Sequence, residues 1–230
     1  MKGELIHEFS HKNIYESLQP NKIIVQFQND QVKSWVRNYT QKGIYNNKIS
    51  NITFDILNHQ GIPTPFIERQ NEYEQIWRKL TPIPIKIVVR NFLVGTNATD
   101  FRVESGHFLP NPILEFFLID PYENIVINDT QILSLAIIPN HELQFLYDQT
   151  YRINKILFNY WDKLNMYLVD FELYFGKDEN NFIYINNELT PDYCSFWEKI
   201  PTPNFYNFTI GKHLNVNSDI YLELYIRMIK

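Results

Sequence analysis

The chain of 230 residues contains one cysteine, Cys194, which excludes an internal disulfide and a multi-cysteine zinc site. That usage suits a reducing cytosol, so a cytoplasmic location is expected. No apolar stretch reaches the roughly 18 residues that a membrane span requires. The opening MKGELIHEFSHKNIY is polar and broken by charges, and does not read as a signal peptide. An excess of positive charge is also missing: 21 basic against 26 acidic residues gives −5. With no long basic run, a nucleic-acid surface is not expected. The expected partner is a small molecule, with neither nucleic acid nor membrane, and homo-oligomerisation is left open.

Apolar residues make up 44% and aromatic residues 16%, which fits a folded globule of one domain or two packed lobes. Taken in order, Glu4 to Tyr15 and Lys22 to Phe27 read as two strands joined by a turn at Leu18 to Asn21. From Ile44, the spacing of Ile49, Ile52, Phe54, Ile56 and Leu57 predicts a helix whose apolar stripe is core. Gly61 stops it and Pro63 prevents its continuation; Asn46, Asn47 and Lys48 are expected on its polar side. Strands follow from Thr64, over Ile76 to Leu80, and over Ile85 to Val94. The density of Ile and Val in the last implies burial on both faces. Arg90 within it requires a partner, because an unpaired buried charge is costly. It closes a structural ion pair or holds an anion. The three-and-four spacing from Leu143 to Leu164 predicts the longest helix, with Asn140 as its N-cap.

The most informative stretch is Tyr167 to Trp197. Leu168 to Phe175 and Phe182 to Ile185 read as two strands, and Gly176 to Asn181 as the polar turn between them. This hairpin carries Asp170 and Glu172 on its first strand, with Glu188 and Asp192 just past its end. Carboxylates at one edge can hold a metal–nucleotide complex, since oxygen ligands suit Mg²⁺. A solvated polar face has the same pattern.

The wording of the stretch, LVDFELYFG followed by NNELTPDYCSFW, resembles the paired motif of the SAICAR synthetase family, LVDFKLEFG and then DE-[FIL]-[ST]-PD-xx-R-x-W. KGIYNNKIS, GIPTPF and PIPIKIVVRNFLVGT resemble further blocks of that family in the same order. The likeness extends over roughly residues 4–197. It implies an α+β fold of two lobes, related to kinase and ATP-grasp folds, with antiparallel sheets and a ligand cleft. The expected division is an N-terminal antiparallel lobe with one helix over 1–80. A C-terminal α+β lobe over 81–230 carries the long helix and the acidic hairpin. It also implies an ATP- and Mg²⁺-dependent carbon–nitrogen ligase of purine biosynthesis, joining an aminoimidazole ribotide carboxylate to aspartate.

Carried over position by position, the resemblance makes Asp170 and Asp192 catalytic candidates. Arg90, Thr96 and Asp192 become substrate-binding candidates. Lys12 falls at the phosphate loop, where Phe9 stands in place of a glycine. The connector from Lys79 to Pro84 is expected to run along the adenine edge and pair through its backbone. Several positions depart from the family. Glu172 replaces a lysine implied near the ATP phosphates, while Tyr174 and Asn187 replace the two Mg²⁺ carboxylates. Ser195 replaces an arginine, Ile119 a lysine, and Asp100 stands where an arginine is implied. Glu188, with Asp192 nearby, is the remaining metal candidate. No basic segment like the family's follows Trp197. Alternatives therefore stay open: a ribotide- or nucleotide-binding pseudoenzyme, or an ATP-independent lyase or hydrolase using the same pocket.

Overall fold

A computed structural model describes residues 2–29, 41–120, 123–199 and 220–230. The segment PTPNFYNFTIGKHL, in which no counterpart of the family's basic segment was found, lies outside the described residues. The strands are β1 (Lys2–Glu8), β2 (Lys12–Ser17), β3 (Lys22–Phe27), β4 (Phe66–Arg69), β5 (Glu74–Arg78), β6 (Thr81–Leu93), β7 (His107–Leu118), β8 (Ile125–Ile127), β9 (Met166–Lys177), β10 (Ile183–Ile185) and β11 (Cys194–Glu198). The helices are α1 (Lys42–His59), α2 (Gly95–Asp100), α3 (Asp129–Ser134), α4 (Asn140–Lys163) and α5 (Ile220–Met228). The described fold is α+β, and the strand pairs β1–β2, β2–β3, β3–β5, β4–β5, β6–β7, β7–β8 and β9–β11 are antiparallel.

Two compact units result. The first takes the chain up to Pro82 and recovers Gly176–Asp192 and the C-terminal helix. The second begins at Ile83, runs to Phe175 and resumes at Tyr193. A division drawn along the sequence at residue 80 keeps the distal hairpin and α5 out of the first unit, because it cannot register a segment that returns.

In the first unit the sheet order is β1-β2-β3-β5-β4. Ile23, Val25 and Phe27 alternate along β3 onto one face and bury themselves against Phe54 of α1 and Trp77 of β5. Phe54 meets the Trp77 indole edge-on at a centroid distance of 5.4 Å. The single strand expected over Glu4 to Tyr15 is two: the chain turns at Phe9–His11, where the Phe9 N–H donates to the Lys12 carbonyl at 2.8 Å. α1 ends as expected, with Gly61 at φ 71°. Asn46 and Asn47, expected on its polar side, are fully buried. α5 packs on α1, where Tyr225 meets Tyr45 and lies under the Lys48 ammonium.

The hairpin turn is shorter than the sequence implied. Gly176 and Lys177 still belong to β9, and the turn closes when the Asp178 N–H donates to the Phe182 carbonyl at 3.0 Å. Gly176 is required by proximity: a Cβ there would lie 2.9 Å from Leu80 Cβ and 3.1 Å from the Thr81 carbonyl oxygen.

In the second unit β9, β6, β7 and β8 follow one another in the sheet, and β11 pairs antiparallel with β9. β6 is buried along most of its length, as its apolar run predicts. Phe92, Val169 and Trp197 form a core cluster with Phe158 of α4 packed against it. The N-cap of α4 is Pro139, not Asn140, which is already the first helical residue. Two short helices and the strands β7, β8 and β11 went unread from sequence; α3 nevertheless carries a full capping box between Asn128 and Gln131.

Candidate functional site

The candidate residues fall into two groups, one in each unit. In the first unit, Lys12 opens β2 and lies only 3% exposed. Its ammonium pairs with Glu188 Oε2, and His11 Nε2 lies 3.3 Å from Glu188 Oε1. Glu188 is completely buried. Burial alone would raise its pKa; the adjacent Lys12 charge, aided by His11, overrides this and holds it at about 2. Lys12 also lies over the Phe9 and Trp77 rings. Bulky Phe9, where the resemblance implies glycine, thus contributes an aromatic wall to this ion pair. Lys12 and Glu188 are each other's partner.

Asp192 sits at the foot of α1. Its Oδ1 accepts from Lys42 Nζ at 2.8 Å and from the Tyr221 hydroxyl at 3.0 Å, and its Oδ2 accepts from the Asn46 amide. Neither Lys42 nor Asn46 was singled out from sequence. The available signal was their place in KGIYNNKIS, one of the blocks that carries the resemblance. Lys79 borders a cavity of about 190 Å³ with Arg78, Thr81 and Lys177. Its backbone N–H is already given to the Asn21 carbonyl at 2.9 Å. Pro84, at the other end of the expected adenine edge, lends its carbonyl to the Ile119 N–H at 3.0 Å.

In the second unit, Arg90 and Asp170 come together. Arg90 NH2 lies 2.7 Å from Glu115 Oε2, and its NH1 lies 3.5 Å from Asp170 Oδ2. Glu115 is on β7, directly paired with β6. Ser195 stands opposite Asp170 in the β11–β9 ladder and hydrogen-bonds its carboxylate. Burial raises the Asp170 pKa, and the neighbouring Glu172 and Glu115 reinforce this against the opposing pull of Ser195 and Arg90. Burial opposes the charge on Arg90, but the Glu115 bond and its neighbouring carboxylates outweigh it, and the guanidinium pKa rises. Two carboxylates therefore fix the guanidinium on the face it shares with Lys86. Lys86 Nζ lies 3.2 Å from Glu172 Oε1, and the Tyr174 hydroxyl donates to Glu172 Oε2 at 3.0 Å. Thr96 is exposed in α2.

These residues do not fit a Mg²⁺ ion. Tyr174 is a phenol whose proton goes to Glu172. The Asn187 amide is buried and donates to the Glu188 carbonyl at 3.1 Å. Glu188 is held by Lys12 and His11, and Asp192 by Lys42, Asn46 and Tyr221. A divalent ion would have to displace an internal cation at either carboxylate. Among the described residues no three His, Cys, Asp or Glu side chains gather into a metal-binding group.

Comparison with known proteins extends along nearly the whole chain. The SAICAR synthetase family model matches residues 6–205. A phosphoribosylaminoimidazole-succinocarboxamide synthase of Streptococcus pyogenes serotype M1 is 34% identical over 203 residues, covering 86% of this chain and 87% of that one. Its counterpart in Thermoanaerobacter sp. strain X514 is 30% identical over 231 residues, covering 99% and 98%. The crystal structure of the synthase from Ehrlichia chaffeensis superposes with a TM-score of 0.85 at 29% identity, covering 98% of both chains. A type-2 SAICAR synthetase in complex with ADP superposes at 0.81, again 29% identical, over 98% of this chain and 97% of that one. Sequence and fold agree from end to end, and the chain belongs to the SAICAR synthetase family.

Proposed function

We propose that the chain is an ATP-dependent carboxylate–amine ligase that joins an aminoimidazole ribotide carboxylate, or a close relative of it, to the amine of aspartate. The observation that carries this reading is the end-to-end likeness to synthases named for that product, with Arg90 held part-buried between carboxylates of two strands.

In this reading Arg90 receives the substrate carboxylate. Its planar fork suits two parallel hydrogen bonds, and Glu115 and Asp170 fix the fork before the ligand arrives, so little orientation is left to arrange on binding. Asp170, with its raised pKa, accepts the proton that the attacking amine loses. Asp192, anchored by α1 and α5, is the ligand-orienting group of the first unit, and Thr96 offers a hydroxyl in the second. ATP, when bound, supplies the activation that makes the carboxylate acylating. Nothing in the proposal is routed through Mg²⁺, because the carboxylates present are committed elsewhere.

A second reading, ligand binding without turnover, is favoured by the neutral Tyr174 and Asn187 at the implied metal positions. Losing a single preorganised electrostatic contact commonly costs about 2–4 kcal/mol in a barrier, and two are replaced here. Titrating the protein with ADP, then assaying ADP release from ATP with both co-substrates, separates the readings. Binding with release supports the ligase, binding alone supports the second reading, and no binding at millimolar ADP removes the ligase and leaves only ribotide binding to test.

A further inference from the structure

We infer that Lys86 supplies from β6 the cation that β9 lacks, and that it is the phosphate-contacting residue of this face. The inference rests on the nucleotide-dependent reading above. The resemblance implies a lysine at position 172, and a glutamate stands there, which in the linear sequence looks like a reversal of charge. In space the charge is not lost: the Lys86 ammonium lies 3.2 Å from Glu172 Oε1.

Lys86 and Arg90 are four residues apart on one strand, so both side chains project from the same face, roughly 13 Å apart along it. Arg90 is the cation assigned above to the substrate carboxylate, and Lys86 is the one left for phosphate. They differ in how firmly they are held. Arg90 has two carboxylates, on two different strands. Lys86 has one, and Glu172 divides its charge between the Lys86 ammonium and the Tyr174 hydroxyl. The exposures differ as well: the Lys86 side chain is 11% exposed and Glu172 34%. The anion is therefore the wetter and more replaceable partner. A lysine is a compact point charge on a flexible stem, and a polyphosphate carries more charge than a single carboxylate. Lys86 accordingly rests on Glu172 in the free protein and turns to phosphate when nucleotide arrives, while Tyr174 keeps Glu172 hydrogen-bonded.

A purely structural ion pair would leave the same distance, and the test is built to separate the two. ADP is titrated calorimetrically into the wild type, Lys86→Gln, Glu172→Gln and the exchange Lys86→Glu with Glu172→Lys, with thermal unfolding recorded for each. The inference predicts about tenfold weaker ADP binding for Lys86→Gln, the loss of one charge-assisted contact. It predicts tighter binding for Glu172→Gln, which removes the competing anion, and retention within about threefold for the exchange, which returns a lysine to β9. A structural pair lowers the melting temperature of both single variants and leaves ADP affinity unchanged. That result overturns the inference while leaving the nucleotide reading intact. If Lys86→Gln does not fold, Glu172→Gln decides, since unchanged affinity there overturns it equally. Absence of ADP binding by the wild type overturns the reading beneath, and this inference with it.

Discussion

Lys12 and Glu188 lie 176 residues apart in the chain and form an ion pair that water scarcely reaches, with side-chain exposures of 3% and 0%. The pair joins the first hairpin of the chain to the segment that follows the acidic hairpin, both within the first unit. Removing one member strands the other in the core. Lys12→Met should therefore destabilise the protein by about 3–5 kcal/mol, while Lys12→Met with Glu188→Leu should recover much of that. Urea unfolding of the two variants measures both. A double variant as unstable as the single would show that the site requires charge as such.

The same pair sets an acid limit. The folded pKa of Glu188 is about 2, below its ordinary value of 4.5. The folded state thus binds this proton less readily than the unfolded chain. Its contribution to stability, on the order of 3 kcal/mol, is complete above about pH 5 and is lost as pH falls towards 2. Stability measured against pH should fall steeply over that window. In Glu188→Gln the fall should be shallower, from a lower starting value.

Gly176 predicts a packing effect with no electrostatic component. An added methyl would meet Leu80 Cβ at 2.9 Å and the Thr81 carbonyl at 3.1 Å. Gly176→Ala should cost about 1–3 kcal/mol by overpacking. Denaturant unfolding checks this, and an unchanged midpoint would mean that the β5–β6 connector yields freely.

Arg90 separates recognition from scaffold. Arg90→Lys keeps the charge but loses the fork, and Arg90→Met loses both while leaving Glu115 and Asp170 without their cation. Affinity for a ribotide carboxylate should fall about tenfold in the first and a hundredfold or more in the second. Equal affinities across the three proteins would mean that Arg90 serves only its neighbouring carboxylates.

The scaffold was legible because its signals are local or repetitive. The α1 stripe, the α4 spacing and the Ile/Val run of β6 each depend on a single periodicity, and each was found within a few residues of its bounds. Asn140 was misplaced as the α4 cap because Pro139 occupies that position with extended backbone and offers no side-chain cap. The split of Glu4–Tyr15 was missed because Phe9–His11 lacks a glycine or proline to mark the turn. The site was legible only in its members. Read along the chain, Lys12 is a surviving phosphate lysine, Glu188 a spare metal ligand and Glu172 a reversed charge. The fold gives Lys12 and Glu188 to each other and sets Lys86 against Glu172. Pairings between distant segments leave no trace in one sequence, so Lys42, Asn46 and Lys86 emerged only from the coordinates.

The most direct test of the account is ADP release from ATP in the presence of an aminoimidazole ribotide carboxylate and aspartate, with each omitted in turn, at millimolar Mg²⁺ and again in EDTA. The account predicts ADP formation that requires all three substrates, and the EDTA arm reads whether the metal that ATP itself carries is needed. No ADP above the omission controls, from a protein that still binds ADP, would contradict the ligase assignment and leave a nucleotide-binding protein without turnover.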